Sequence, residues 1–144
     1  LFPAGFEYRC GPWWLPKERK VIFSSQDGLA IWDANMEAWQ TFPLPERSDY
    51  PQVMLSPSGR QAAVALCGGK QKAGKASMAV FDLKTGSSTV IRDLSLPRFY
   101  FIERDTLWLD EEFLFFNDLH SHIAQIISKS GKQRWEFPRK KDRS

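Results

Sequence analysis

Three times along the chain an apolar, β-branched or aromatic run drops into a short polar turn and climbs back, and the interval is constant. Asp33 to Phe42, Asp82 to Ile91 and Ser128 to Phe137 are each nine positions. An interval kept through three otherwise different stretches marks a structural repeat, which restricts the fold more than composition does. The copies are "WWLPKERKVIFSSQDGLAIWDANMEAWQTF", "VMLSPSGRQAAVALCGG" continuing through "SMAVFDLKTGSSTVI", and "LWLDEEFLFFNDLHSHIAQIISKSGKQRWEF". Each opens on apolar residues before a Pro or Asp turn (Trp14-Leu15-Pro16, Leu55-Ser56-Pro57, Trp108-Leu109-Asp110) and continues into a strand (Val21-Ile22-Phe23, Ala62-Ala63-Val64, Phe113-Leu114-Phe115). Short Val-, Ile-, Phe- and Trp-rich runs between turn signals predict an all-β fold. Two of the last hairpins carry a glycine, Gly86 and Gly131, to supply the positive φ of a tight turn; Asn35 or Met36 is expected to serve in the first.

At 144 residues the chain is one domain's worth, and 42% hydrophobic residues with 14% aromatic suffice for a core. Lys and Arg exceed Asp and Glu by 20 to 17, a net charge of +3, and gather in "GGKQKAGK" (68–75) and the tail 139–144. Such short clusters are ordinarily solvated, so nucleic acid is not the expected partner. No run of about 18 apolar residues offers a membrane span. The chain begins at Leu1 rather than Met, which fits a mature chain whose signal peptide has been removed, or a trimmed segment. Cys10 and Cys67, 57 positions apart, have no zinc spacing. In an oxidising compartment a bond between them would stabilise the fold by roughly 3 to 4 kcal/mol on loop-entropy grounds; otherwise they are two buried thiols.

"LSPSGRQAAVA" followed by "SMAVFDLKTGSSTVI" resembles the four-stranded repeat of TolB-type and related β-propellers, where a Ser-Pro-x-Gly-Arg turn joins two strands and an x-Asp-x-x-Thr-Gly hairpin joins the next two. The outer copies match in outline, with Lys17-Glu18-Arg19 and Glu111-Glu112 at the turn. The resemblance implies a single domain built as an open, partial β-propeller of three antiparallel blades, at about 12–46, 52–96 and 98–138. Propellers close with four to eight blades, so three leave concave surface that a partner protein is expected to fill. Pro43, Pro45, Pro51 and Pro97 in the connections protect sheet edges. Most of the six tryptophans are expected between blades.

No catalytic set emerges. His120 and His122 stand two apart near Asp118, but a polar turn explains "NDLHSH" without a metal, and no third nitrogen or thiolate ligand is evident. Cys67 lacks an oriented base, and Asp110 to Glu112 occupy a turn where charge is expected to face water. "CGGKQKAGK" lacks the Lys-Ser/Thr ending of a phosphate loop. The expectation is a binding protein with no cofactor and no catalytic or metal residues.

A mature chain of this length carrying the Thr-Gly-Ser-Ser hairpin also resembles the periplasmic immunity proteins that Gram-negative bacteria make against type VI secreted peptidoglycan amidases. That resemblance implies a periplasmic inhibitor of a papain-like Cys-His toxin. It places the contact at Lys84, Thr85, Gly86, Ser87, Ser88 and Thr89, whose small tip fits a peptide-binding cleft. The alternative is a non-catalytic propeller scaffold of a cell-envelope complex, or a module that homodimerises into a larger ring.

Overall fold

In the computed structural model, residues 1–68, 76–94, 106–118 and 123–138 are described. Residues 69–75 of the Lys/Gly segment, Pro97, His120, His122 and the tail 139–144 lie outside them. The fold is all-β. Twelve strands among the described residues form three four-stranded antiparallel sheets. The first sheet runs β1 (Cys10–Leu15), β2 (Lys20–Ser24), β3 (Gly28–Asp33), β4 (Ala38–Pro43); the second β5 (Val53–Leu55), β6 (Gln61–Leu66), β7 (Ala76–Asp82), β8 (Ser88–Leu94). The third is β9 (Thr106–Trp108), β10 (Phe113–Asp118), β11 (Ile123–Ser128), β12 (Arg134–Pro138). Each sheet is an up-and-down meander, so every turn that follows an odd-numbered strand falls at one end of the stack.

The second sheet is packed on both faces. Alternate residues of β6 point opposite ways: Ala62, Val64 and Leu66 join Ile22, Leu29, Ile31 and Phe42 of the first sheet in one cluster. Ala63, Ala65 and Cys67 join Trp108, Leu114, Phe116 and Ile127 of the third in another. A central strand buried on both sides must be a continuous apolar run, and "AAVAL" is one; its small residues leave room for larger neighbours from both flanking sheets. Hydrogen bonds lock the layers: Trp108 Nε1 donates to Met54 O at 2.9 Å, and Ser24 Oγ to Pro51 O at 2.7 Å.

The tryptophans do not behave as expected. Trp108 alone is buried between sheets; Trp14 is 64% exposed and Trp135 45%. Trp32 and Trp39 lie on the outer face of the first sheet, where Phe2, Phe6 and Tyr8 of the N-terminal segment pack around Phe23 and Trp39, and Trp39 Nε1 donates to Leu1 O. The inter-sheet space is filled mainly by aliphatic side chains, Ala residues and Phe rings, so most indoles are left outside it.

Turn glycines interlock the stack. Gly86, at φ 78°, rests on Phe42 of the preceding sheet, where an added Cβ would sit 2.6 Å from the ring. Gly131 rests in the same way on Ile91, 3.4 Å from its side chain. Phe42 and Ile91 are the equivalent ninth positions of their repeats, each covered by the following sheet. In the first hairpin neither Asn35 nor Met36 takes the positive φ. Asp33 Oδ1 accepts both of their N–H groups, and the left-handed position falls on Glu37 (φ 50°), four residues after Asp33 as Gly86 is four after Asp82. The turn "SKSGKQ" copies "SPSGRQ" instead. Ser56 N bonds Gln61 O and Ser128 N bonds Gln133 O, while the Ser56 and Ser128 hydroxyls each accept the Gln N–H.

Candidate functional site

The hairpin between β7 and β8 stands at the turn end of the stack, and its shape follows from Asp82. The carboxylate accepts Lys84 N at 2.8 Å and Thr85 N at 3.1 Å, while Asp82 O accepts Gly86 N and Asp82 N donates to Ser87 O. An Asp placed to satisfy the second and third amides after it makes a self-contained Asx turn. Those two backbone hydrogen bonds, from Lys84 first, hold the Asp82 carboxyl below the ordinary carboxylate range. Thr85 Oγ1 and Ser87 Oγ hydrogen-bond each other at 2.9 Å, and Ser87 N donates to Thr85 Oγ1. Ser88, opposite Phe81, and Thr89, opposite Val80, begin the return strand.

Of the six residues expected at a partner contact, Lys84, Thr85, Ser87, Ser88 and Thr89 are exposed. Gly86 is not a free tip residue: it is half-buried on Phe42. The hairpin is therefore not a slender finger projecting alone; the first sheet supports one side of it. Leu83 is buried beneath it, and its N–H donates to Arg60 O, tying the hairpin to the β5–β6 turn. Among the described residues the Ser88 hydroxyl has no hydrogen-bond partner, so it remains available to a ligand.

Beside the hairpin, turns of all three sheets surround a cavity of about 740 Å³, lined among others by Glu18, Lys20, Arg60, Lys84, Glu111 and Lys129. Charges of both signs line it. The acidic turn of the third copy does not simply face water as expected: Glu111 reaches across to the second sheet. Ser58 N donates to Glu111 Oε1 at 2.6 Å, and Gln61 Nε2 donates to Glu111 Oε2 and to its carbonyl oxygen. Burial opposes ionisation of this group, but the hydrogen bonds from Gln61 and Ser58 outweigh it and hold its pKa at about 2. Its neighbours also hold structure: Asp110 Oδ1 caps Glu112 N and Phe113 N, and Glu112 pairs with Lys129 at 3.5 Å.

Cys10 and Cys67, the two residues a disulfide would join, are both free thiols in this structure. Cys67 follows β6 on the face of the second sheet turned toward the third, and Cys10, opposite Ser24 at the start of β1, lies close enough to interact with it electrostatically. Burial, with the Asp49 carboxylate and Cys10 nearby, pushes the Cys67 thiol up to about 12, and burial raises Cys10 as well. Neither thiol is a ready nucleophile.

No protein-family model matches this chain, and no curated protein is significantly similar to it. Among the described residues no group of three or more His, Cys, Asp or Glu is placed to hold a metal, and no helix is long and apolar enough to cross a membrane. What the turn end offers is a surface: a pinned hairpin with hydroxyls and a lysine outward, beside a mixed-charge hollow. The sequence pointed to the hairpin through its Thr-Gly-Ser-Ser tip. It did not point to Phe42 and Arg60, which support that tip from 40 and 22 positions upstream of Asp82.

Proposed function

We propose that this chain is a non-catalytic inhibitor: a periplasmic immunity protein that occludes the active site of a secreted, papain-like peptidoglycan amidase. On this reading the three stacked sheets are the blades of an open propeller, and the hairpin from Lys84 to Thr89 enters the toxin's substrate cleft. The observation that supports it best is the preorganisation of the tip. Asp82, the Thr85–Ser87 hydroxyl pair and the seat on Phe42 fix the loop before any partner arrives, and a contact that needs no ordering on binding retains more of its interaction energy.

The chemistry suits a Cys-His enzyme. A serine hydroxyl donates one hydrogen bond and accepts others, so it can lie between a thiolate and an imidazole while offering no carbonyl to cleave. Lys84 and the mixed charges of the neighbouring hollow then form a polar rim around a small central contact.

Ser87→Trp and Ser88→Trp test the reading by inhibition of such an amidase. Each is expected to weaken inhibition by at least about thirtyfold, the loss of a central contact of about 2 kcal/mol or more. Folded variants that inhibit as well as the parent would remove the hairpin from the interface.

A further inference from the structure

We propose that two copies of this chain associate through the outer edge of the third sheet, β12 pairing antiparallel with β12 about a twofold axis at Trp135. A strand at a sheet edge exposes unpaired backbone groups and is a template for further pairing unless it is blocked. The outer edge of the second sheet, β8, is engaged. The β7–β8 ladder slips between Ala76 and Met78, Arg92 is paired with Glu46, and Arg92 O accepts the Arg134 guanidinium. In β12 all five residues, Arg134-Trp135-Glu136-Phe137-Pro138, are exposed, and the pairing with β11 runs without a slip from Arg134 to Pro138.

The direction of its free groups follows from the turn. Ser128 N donates to Gln133 O, while Gln133 N donates to the Ser128 hydroxyl, so these residues turn their backbone groups toward each other. Alternation along an antiparallel ladder then makes Trp135 and Phe137 face β11 with their backbone groups, and leaves the N–H and C=O of Arg134 and Glu136 directed outward.

Only one register uses those groups well. With Trp135 facing its own copy, Arg134 of each chain forms a hydrogen-bonded pair with Glu136 of the other; the Arg134 guanidinium, whose Nε donates to Gly131 O and Nη2 to Arg92 O, keeps Nη1 for an opposite-charge cross-strand contact, and two such contacts result. The Trp135 rings meet on the opposite face at the closer, non-hydrogen-bonded spacing. There they extend the aromatic row in which Phe113 and Trp135 already stand with ring centroids 5.7 Å apart. Sliding by two residues in either direction puts Arg134 against Arg134 or Glu136 against Glu136, so charge selects the register. The contact is isologous and closes as a dimer. It also shields Phe137, the ninth-position residue of the last repeat, which is 50% exposed where Phe42 and Ile91 are covered.

Sedimentation equilibrium of the full chain from about 1 μM to about 1 mM tests this, the range expected for so small an interface. The mass is expected to rise with concentration from 16.6 kDa toward twice that value. Glu136→Arg places arginines opposite one another and is expected to weaken association by roughly tenfold or more. The swap Arg134→Glu with Glu136→Arg restores complementarity and is expected to restore the dimer. Trp135→Lys, which sets two like charges on the axis, is expected to give monomer throughout. A parent chain monomeric over the whole range overturns the proposal, and so does a dimer indifferent to Glu136→Arg or a swap no stronger than the single change. None of these variants alters the 84–89 hairpin, so the amidase reading stands or falls separately.

Discussion

Replacing Gly86 by Ala probes the contact that joins the hairpin to the stack. Two costs apply. The backbone is at φ 78°, where an L side chain is disfavoured by about 1–2 kcal/mol. The new methyl would sit 2.6 Å from two ring carbons of Phe42, a buried residue, so ring or loop must shift, which costs about 1–3 kcal/mol in a packed core. The sum, about 2–5 kcal/mol, is a large share of the roughly 5–15 kcal/mol that stabilises a typical domain. Thermal unfolding should fall by roughly 4–20 °C, at about 2–4 °C per kcal/mol for a chain of this size. Gly5→Ala is the control: its φ is 77° but nothing lies within 4 Å of the added atom, so only the backbone cost remains. Combining Gly86→Ala with Phe42→Leu should recover part of the excess, because the two sites share one contact. Equal losses for Gly86→Ala and Gly5→Ala in calorimetry would refute the packing of hairpin on sheet.

Glu111→Gln removes the charge that clamps the β5–β6 turn and should cost about 1–2 kcal/mol in chemical denaturation, as for hydrogen bonds to a charged acceptor. The folded pKa of about 2 lies below the ordinary 4.5. The stabilisation is therefore fully present above about pH 4.5 and lost as pH falls toward 2; the variant should show a flatter acid limb, and an unchanged one would contradict the clamp. Phe81→Ala, in the core between the first and second sheets, should lose about 3–5 kcal/mol, measured by urea unfolding; a loss under 1 kcal/mol would be incompatible with that burial. Alkylation at pH 8 followed by mass spectrometry should modify Cys67 far more slowly in the folded chain than in urea, and equal rates would mean that the thiol is not buried.

Much of the fold was legible because the repeat is carried by local chemistry. Asp33 and Asp82 each bind the second and third amides after them, so in the first two copies the nine-position interval records one Asx turn and its flanking strands, while the third keeps the interval with the serine turn of Ser128. Ala62-Ala63-Val64 was readable as a strand; that it is buried on both faces depends on the flanking sheets. What the sequence left dark depends on contacts between repeats. Nothing local to Gly86 indicates Phe42, nothing local to Glu111 indicates Ser58 and Gln61, and the fate of the tryptophans turned on which sheet faces were covered. Positive φ at Glu37 was missed because residue preference favours Asn, whereas Asp33 holds Asn35 and Met36 in place and passes the left-handed position one residue on. That Cys10 and Cys67, 57 positions apart, stand near one another as free thiols also depends on contacts between the first and second sheets.

The most direct test is a crystal structure of this chain bound to a periplasmic Cys-His peptidoglycan amidase, with one distance read from it. The account predicts a hydroxyl of Ser87 or Ser88 within about 4 Å of the catalytic sulfur, inside hydrogen-bonding reach of a thiolate. A complex in which the amidase sits elsewhere and the 84–89 hairpin faces solvent would contradict it.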